Sequence, residues 1–293
     1  MPGTGNNSIF FALVTATLYS AAPLVIAAMG GVLSERAGVV NIALEGLMLS
    51  GAFVGVACGT GSAWLGLLAA IGVGALLGLL HAFLTQKARM NHVVSGLGIN
   101  LLAAGATTFL NRKYFTNGVS VKSLNPNGFL LLALLLPFFL TWVLHRTKFG
   151  LRLRAVGENP ESARMAGISP EAPRYIAVTL SGICGALAGA YLSLANAGTF
   201  STNMSAGKGY IALAAVIFGK WNPLGAAGGA LFFGFFYALQ TELQILNLKI
   251  NLFGVEWTSP YLLGLLPYLM TIAALVSVVG RAVPPAALGK EGE

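Results

Sequence analysis

Residues 63–85 read AWLGLLAAIGVGALLGLLHAFLT, without one formally charged side chain. A helix over that stretch reaches about 35 Å at 1.5 Å per residue, enough to cross the ~30 Å hydrocarbon core of a bilayer. The same ruler of about 20 apolar residues per crossing finds further runs at Ile9 to Leu33, Val39 to Cys58, Val93 to Leu110, Gly128 to Leu144, Tyr175 to Ala197, Leu224 to Gln240 and Pro260 to Gly280. The expected architecture is an all-α, polytopic membrane helix bundle.

Composition agrees with this reading. The chain of 293 residues is 56% hydrophobic and 9% charged, against roughly 25% charged in an average soluble domain. A soluble domain needs charge on its surface, so a chain this poor in it faces lipid. The 38 glycines fit the need of membrane helices to approach closely. Three pairs at four-residue spacing, Gly74 with Gly78, Gly185 with Gly189 and Gly225 with Gly229, read as packing seams. The net charge of +8 does not signify a nucleic-acid partner, because the basic residues lie in the gaps between apolar runs. Cys58 and Cys184 lie in or at the ends of apolar runs and read as packed thiols, with no material for a disulfide framework or a metal site. The first run follows no basic residue and exceeds the ~7–15 residues of a signal-peptide core, so it reads as a retained span.

One apolar piece is too short. Gly209 to Gly219 makes only about 16 Å of helix, so it is a half-helix, a re-entrant segment or a shielded crossing, which leaves eight or nine transmembrane helices. Broken backbone at membrane depth survives only where protein or a water-filled cavity covers it. The piece and the Lys220-Trp221-Asn222-Pro223 turn after it therefore suggest a lined pathway. If the piece crosses, one side of the membrane receives Arg36, Lys87, Arg89, Arg146, Lys148, Arg152, Arg154, Arg164, Arg174, Lys220, Arg281 and Lys290. The other side receives Arg112, Lys113, Lys122, Lys208 and Lys249. The richer side is the cytoplasm by the positive-inside bias, which places the N-terminus outside and the C-terminus inside.

The longest loop on that side, 145–174, reads HRTKFGLRLRAVGENPESARMAGISPEAPR. Within it Asn159 can cap a helix, Pro160 suits the first helical position and Glu161 suits the positive end of the dipole. Gly167 stands where a helix stop belongs. Local rules thus predict a short amphipathic helix lying across the cytoplasmic face.

The segment GENPESARMAGI, 157–168, resembles the coupling segment of the branched-chain amino acid, simple sugar and nucleoside importer permeases of the ATP-binding cassette superfamily. ERAGVVNIALEGLMLSGAF, 35–53, and GKGYIALAAVIFGKWNPLGA, 207–226, resemble two further blocks of the same family, and the closing Leu266-Pro267-Tyr268 run extends the likeness over nearly the whole chain. The resemblance is nearest to the shorter permease of a nucleoside-type or riboflavin-type system. It implies a single transmembrane permease domain over 1–293, whose Gly157, Glu158, Asn159, Ala163, Arg164, Gly167 and Ile168 dock into a cassette ATPase. It also implies a second, longer permease as heterodimer partner and a substrate-binding lipoprotein. ATP and Mg would bind the partner ATPase, and this chain would bind no cofactor.

Glu45 is the acidic residue set deep in an apolar run, with Asn41 four residues earlier and so on the same face of a helix. Intramembrane carboxyl groups are costly and face a pathway or a partner. Two readings stand side by side: Asn41 and Glu45 line the translocation path, or Glu45 is a structural carboxylate bonded to a neighbouring helix or to Arg36. Asn100 and Asn196 are weaker lining candidates, and His81 reads as a satisfied packing residue. Neither Gly207-Lys208-Gly209 nor Gly219-Lys220-Trp221 has the spacing or the Ser/Thr of a phosphate-binding loop, so the chain is not expected to hydrolyse ATP. No nucleophile elbow or His-Glu metal pattern is present. The expected function is the permease of an ATP-driven importer in the cell membrane, for nucleosides or else for riboflavin, purines or simple sugars. A proton-coupled carrier using Glu45 is the alternative, although such carriers normally carry an internal repeat with matching broken helices.

Overall fold

The structure, a computed structural model, describes residues 4–115, 119–245 and 282–290, with isolated positions between 251 and 273. The expected run at Pro260 to Gly280, including Leu266-Pro267-Tyr268, lies outside the described residues apart from those positions. The regular secondary structure of the described residues is helical except for a two-residue antiparallel pair, Asn251–Leu252 with Val255–Glu256, and an isolated bridge between Ser120 and Thr199. In order, the helices are α1 (Thr4–Arg36), α2 (Leu44–Gly59), α3 (Ala63–Gln86), α4 (His92–Tyr114) and α5 (Pro126–Arg146). Then follow α6 (Lys148–Glu158), α7 (Pro160–Met165), α8 (Glu171–Ala190), a π-helical continuation Tyr191–Ala197, α9 (Lys208–Phe218) and α10 (Pro223–Ile245).

Among the described residues, six helical stretches are long and apolar enough to cross a membrane: Phe10–Arg36, Ala63–Gln86, His92–Tyr114, Pro126–Arg146, Glu171–Ala197 and Pro223–Ile245. Two apolar helices, α2 and α9, are shorter. Local chemistry sets the ends. The Asn91 side chain accepts from the Val93 and Val94 amides to start α4, and Asn125 accepts from the Asn127 amide with Pro126 in the first turn of α5. Arg112 and Lys113 close α4, and Arg146 closes α5, where the dipole favours cations.

α1 is the central post. Its buried stretch from Leu24 to Leu33 packs against α5, α8, α9 and α10. Large apolar side chains such as Trp64, Leu68, Leu101, Phe109, Leu134 and Phe138 point outward from α3, α4 and α5, as on helices with lipid on one face. The glycine seams are where the spacing puts them. A Cβ at Gly74 or Gly78 would strike α8 at Gly182 or Val178, one at Gly189 would overlap the Met48 carbonyl, and one at Gly225 would strike Gly219.

The run Val39 to Cys58 is not one helix. The chain leaves α1 at Arg36, passes through residues 37–43 as turns and irregular backbone, and becomes helical only at Leu44. Asn41 therefore does not share a helical face with Glu45. The continuous apolarity of Val39, Val40 and Ala43 hides this break, because hydropathy reports burial and not backbone conformation. Cys184 is buried as expected, whereas Cys58, near the end of α2, is exposed.

Candidate functional site

The N-terminal ends of the two short helices meet. Gly209 of α9 sits so close to Glu45 of α2 that a Cβ there would lie 2.5 Å from the Glu45 Cα. The Glu45 carboxylate closes the junction. One oxygen accepts from the Ser205 hydroxyl at 2.6 Å and the Gly207 amide at 2.8 Å, and the other accepts from the Gly209 amide at 2.7 Å. These amides are the orphan donors of the α9 N-terminus, and the negative charge lies at the positive end of its dipole. Arg36, the other partner considered for Glu45, donates instead to the Trp221 carbonyl at 2.7 Å.

The depth of this junction follows from its neighbours. α9 runs antiparallel to α10, with Gly219 against Gly225, Ala215 against Gly229 and the Lys208 ammonium 5.1 Å from the Tyr237 ring. Tyr237 is 14 residues past Pro223, about 21 Å along a helix some 35 Å long. On the opposite side, Asn100 is eight residues past His92, about 12 Å along α4. The far end of α9 is fixed beside the end of α1, where the Trp221 indole N–H donates to Glu35. The two helix starts therefore lie in the middle third of the bundle, and Lys208, placed in an outer loop by residue counting, stands at that depth beside Tyr237.

Buried polar side chains satisfy the irregular backbone that leads into α2. Ser34 donates to the Val39 carbonyl at 2.7 Å, His92 Nδ1 accepts from the Val40 amide at 3.4 Å, and His81 Nε2 meets the Val40 carbonyl at 3.1 Å. A carbonyl only accepts, so His81 carries its proton on Nε2, and its Nδ1 accepts from Ser95 at 2.9 Å. Asn41 is fully buried, accepting from the Ala43 amide and donating to Ser181 at 2.7 Å. Asn100 accepts from the Gly46 amide at 2.7 Å and donates to the Ile42 carbonyl at 2.9 Å and the Tyr210 hydroxyl at 3.0 Å. Asn196, by contrast, is exposed in the π-helical stretch, away from this cluster. Sequence reading missed Ser34, His92, Ser205 and Tyr210. The available signal was Gly38 and Asn41, two residues that disfavour helix, next to two histidines on neighbouring spans.

The short helix anticipated in the loop 145–174 is α7. The Asn159 side chain accepts from the Ser162 amide at 2.9 Å, Pro160 opens the helix, and Gly167 takes φ +78° as the Ile168 amide reaches back to the Ala163 carbonyl at 2.9 Å. Ala163 is buried, whereas Arg164 and Gly167 are exposed and Met165 is 90% exposed. Gly157 packs on the Arg36 carbonyl so tightly that any side chain would overlap it. The segment 282–290 fastens this end: Ala286 and Ala287 amides donate to the Glu158 carboxylate and the Gly157 carbonyl, and the Gly289 amide to the Gly38 carbonyl. A cleft of about 1050 Å³, with Arg89, Glu158, Arg164, Arg174 and Lys290 on its walls, opens beside α7.

Comparison with known proteins places this architecture. The guanosine ABC transporter permease protein NupQ of Bacillus subtilis is 40% identical, covering 94% of this chain and 95% of that one. The nucleoside ABC transporter permease protein NupC of Lactococcus lactis is 37% identical, covering 97% and 96%. TsgC13 of Haloferax volcanii, a permease with a provisional glucose assignment, is 35% identical over 94% and 96%. No solved structure matches the chain. Residues 13–275 match the family described as branched-chain amino acid transport system / permease component, and with relatives aligned along almost their whole length the chain belongs to that family of transport permeases.

Proposed function

We propose that this chain is the permease subunit of an ATP-binding cassette importer for nucleosides, working in the cell membrane with a cassette ATPase and a substrate-binding lipoprotein. The observation that carries this reading is the near end-to-end similarity to a guanosine permease at 40% identity and a nucleoside permease at 37%. The physical chemistry supports it: broken helices meet at mid-depth, where pathways in membrane transporters are built. ATP and Mg belong to the partner ATPase, and a second, longer permease completes the pathway as heterodimer partner. Nine crossings fit the chain, counted with the last apolar run, the N-terminus outside and the C-terminus inside. In that scheme residues 37–59 and 198–218 each cross as irregular backbone joined to a short helix. The whole of 1–293 then acts as one transmembrane domain.

The segment Gly157, Glu158, Asn159, Ala163, Arg164, Gly167 and Ile168 is the coupling element. A rigid, capped helix passes on a rigid-body displacement that a loose loop would absorb. Asn41, Glu45 and Asn100 support the pathway from behind by holding the two helix starts, and Asn196 stands near its outer mouth. The test is uptake of tritiated guanosine into proteoliposomes bearing the full assembly. Uptake must require ATP and the partner ATPase, and Arg164→Glu should lower uptake per ATP hydrolysed at least fivefold while insertion stays normal. Uptake by this chain alone under a proton gradient would overturn the proposal.

A further inference from the structure

We infer that Tyr210 is a solute-contacting residue at mid-depth, its ring offered to the base of a passing nucleoside and its hydroxyl held in place by Asn100. The inference rests on the nucleoside-permease reading above and names a contact within it. Tyr210 is the third residue of α9 and is 44% exposed, although its neighbours Gly209 and Ile211 are buried. It lies at the junction of the two short helices, about 12 Å along α4 from its start by the Asn100 ruler. That position argues against the ordinary reason for an exposed tyrosine in a membrane protein, which is anchoring at the headgroup level.

The surroundings of the ring point the same way. Just before α9, Ala206 is exposed with φ +46° and Gly207 is half-buried with φ +80°, so irregular backbone reaches the surface of this chain beside the tyrosine. Irregular backbone at that depth is not tolerated against lipid; it borders protein or water. An aromatic side chain 44% exposed, beside backbone that requires a polar setting, suits a flat heteroaromatic solute, because every base presents a π-face to stack upon. Asn100 makes the ring a fixed platform. Its amide nitrogen donates to the Tyr210 hydroxyl at 3.0 Å while its oxygen is committed to the Gly46 amide, so the hydroxyl accepts from Asn100 and its own proton is directed elsewhere.

The experiment has two readouts on the full assembly in proteoliposomes. In a Cys58→Ser background, Tyr210→Cys should react with a charged, membrane-impermeant thiosulfonate at least tenfold faster than Phe109→Cys on the outward face of α4. In parallel, Tyr210→Leu should lower the rate of tritiated guanosine uptake tenfold or more, with Tyr210→Phe retaining at least a third. Labelling no faster than at Phe109→Cys, meaning that lipid or a second subunit covers the ring, overturns the inference. So does a Leu variant that transports as well as the Phe variant. If the unaltered assembly imports no guanosine, the nucleoside reading itself fails, whereas an importing assembly indifferent to Tyr210 refutes only this contact.

Discussion

The two short helices begin side by side but are supplied by lead-ins of opposite character. Residues 37–43, before α2, are almost wholly buried, and side chains from α1, α3, α4 and α8 hold their backbone groups. Residues 201–207, before α9, are largely exposed and bonded mostly to themselves, through Met204 to Ser201, Ala206 to Asn203 and Lys208 to Ser205. Among the described residues, the Glu45 carboxylate ties them to α2 and Met204 packs against the apolar core. Among the described residues, the first break is clamped by many side chains and the second by fewer. A segment with few outside contacts opens at low free-energy cost, so the α9 lead-in is the side of the junction suited to move while the α2 lead-in stays as its seat.

The largest effect should come from closing the gap between the two. Gly209→Val puts a branched side chain where the Glu45 backbone already stands, and backbone cannot rotate away. No monodisperse assembly should survive gel filtration. A variant that assembles normally would show that the two helix starts are not in contact.

Asn100→Leu should rank next. It strips partners from the Ile42 carbonyl in the seat and the Gly46 amide in the first turn of α2, at about 1–3 kcal/mol for each buried group left unpaired. Thermal unfolding followed by tryptophan fluorescence should shift down by several degrees or more. Glu45→Gln keeps an acceptor for Ser205 and Gly207 but turns an amide nitrogen toward the Gly209 amide and removes the charge at the α9 dipole. A loss of about 1–3 kcal/mol should loosen the α9 lead-in and leave α2 intact, read as faster amide exchange confined to 201–212. Unchanged exchange with abolished uptake would move Glu45 from support to direct solute contact.

Much of this was legible in the residues. Apolar runs of membrane length mark six helices, glycine pairs mark their seams, and Asn159-Pro160 with Gly167 mark α7, because caps and stops act through neighbours within a few positions. The brevity of α9 is plain from its eleven residues. The break before α2 is not, since Val39 and Val40 look like any membrane helix and the side chains that pair with the Val40 backbone lie on distant spans, at His81 and His92. For the same reason Asn41 and Glu45 read as one helical face, and Tyr210 passed unnoticed: its significance comes from Asn100, 110 positions away.

The smallest effect is the sharpest probe of the contrast. Ala206 in the exposed lead-in has φ +46°, and Gly38 in the buried one has φ +89°. A left-handed conformation costs a residue with a Cβ roughly 1–2 kcal/mol, while glycine adds about 0.4–1 kcal/mol of unfolded-chain entropy. Ala206→Gly should therefore be neutral or stabilising by up to about 1.5 kcal/mol, because nothing need be repacked around an exposed methyl. Gly38→Ala reverses the sign: it takes on the left-handed strain and sets a Cβ 3.3 Å from the Ala287 carbonyl oxygen and 3.4 Å from the Arg174 guanidinium. If both substitutions instead lower the melting temperature alike, the α9 lead-in is as tightly seated as its counterpart, and the division into a fixed and a movable break fails.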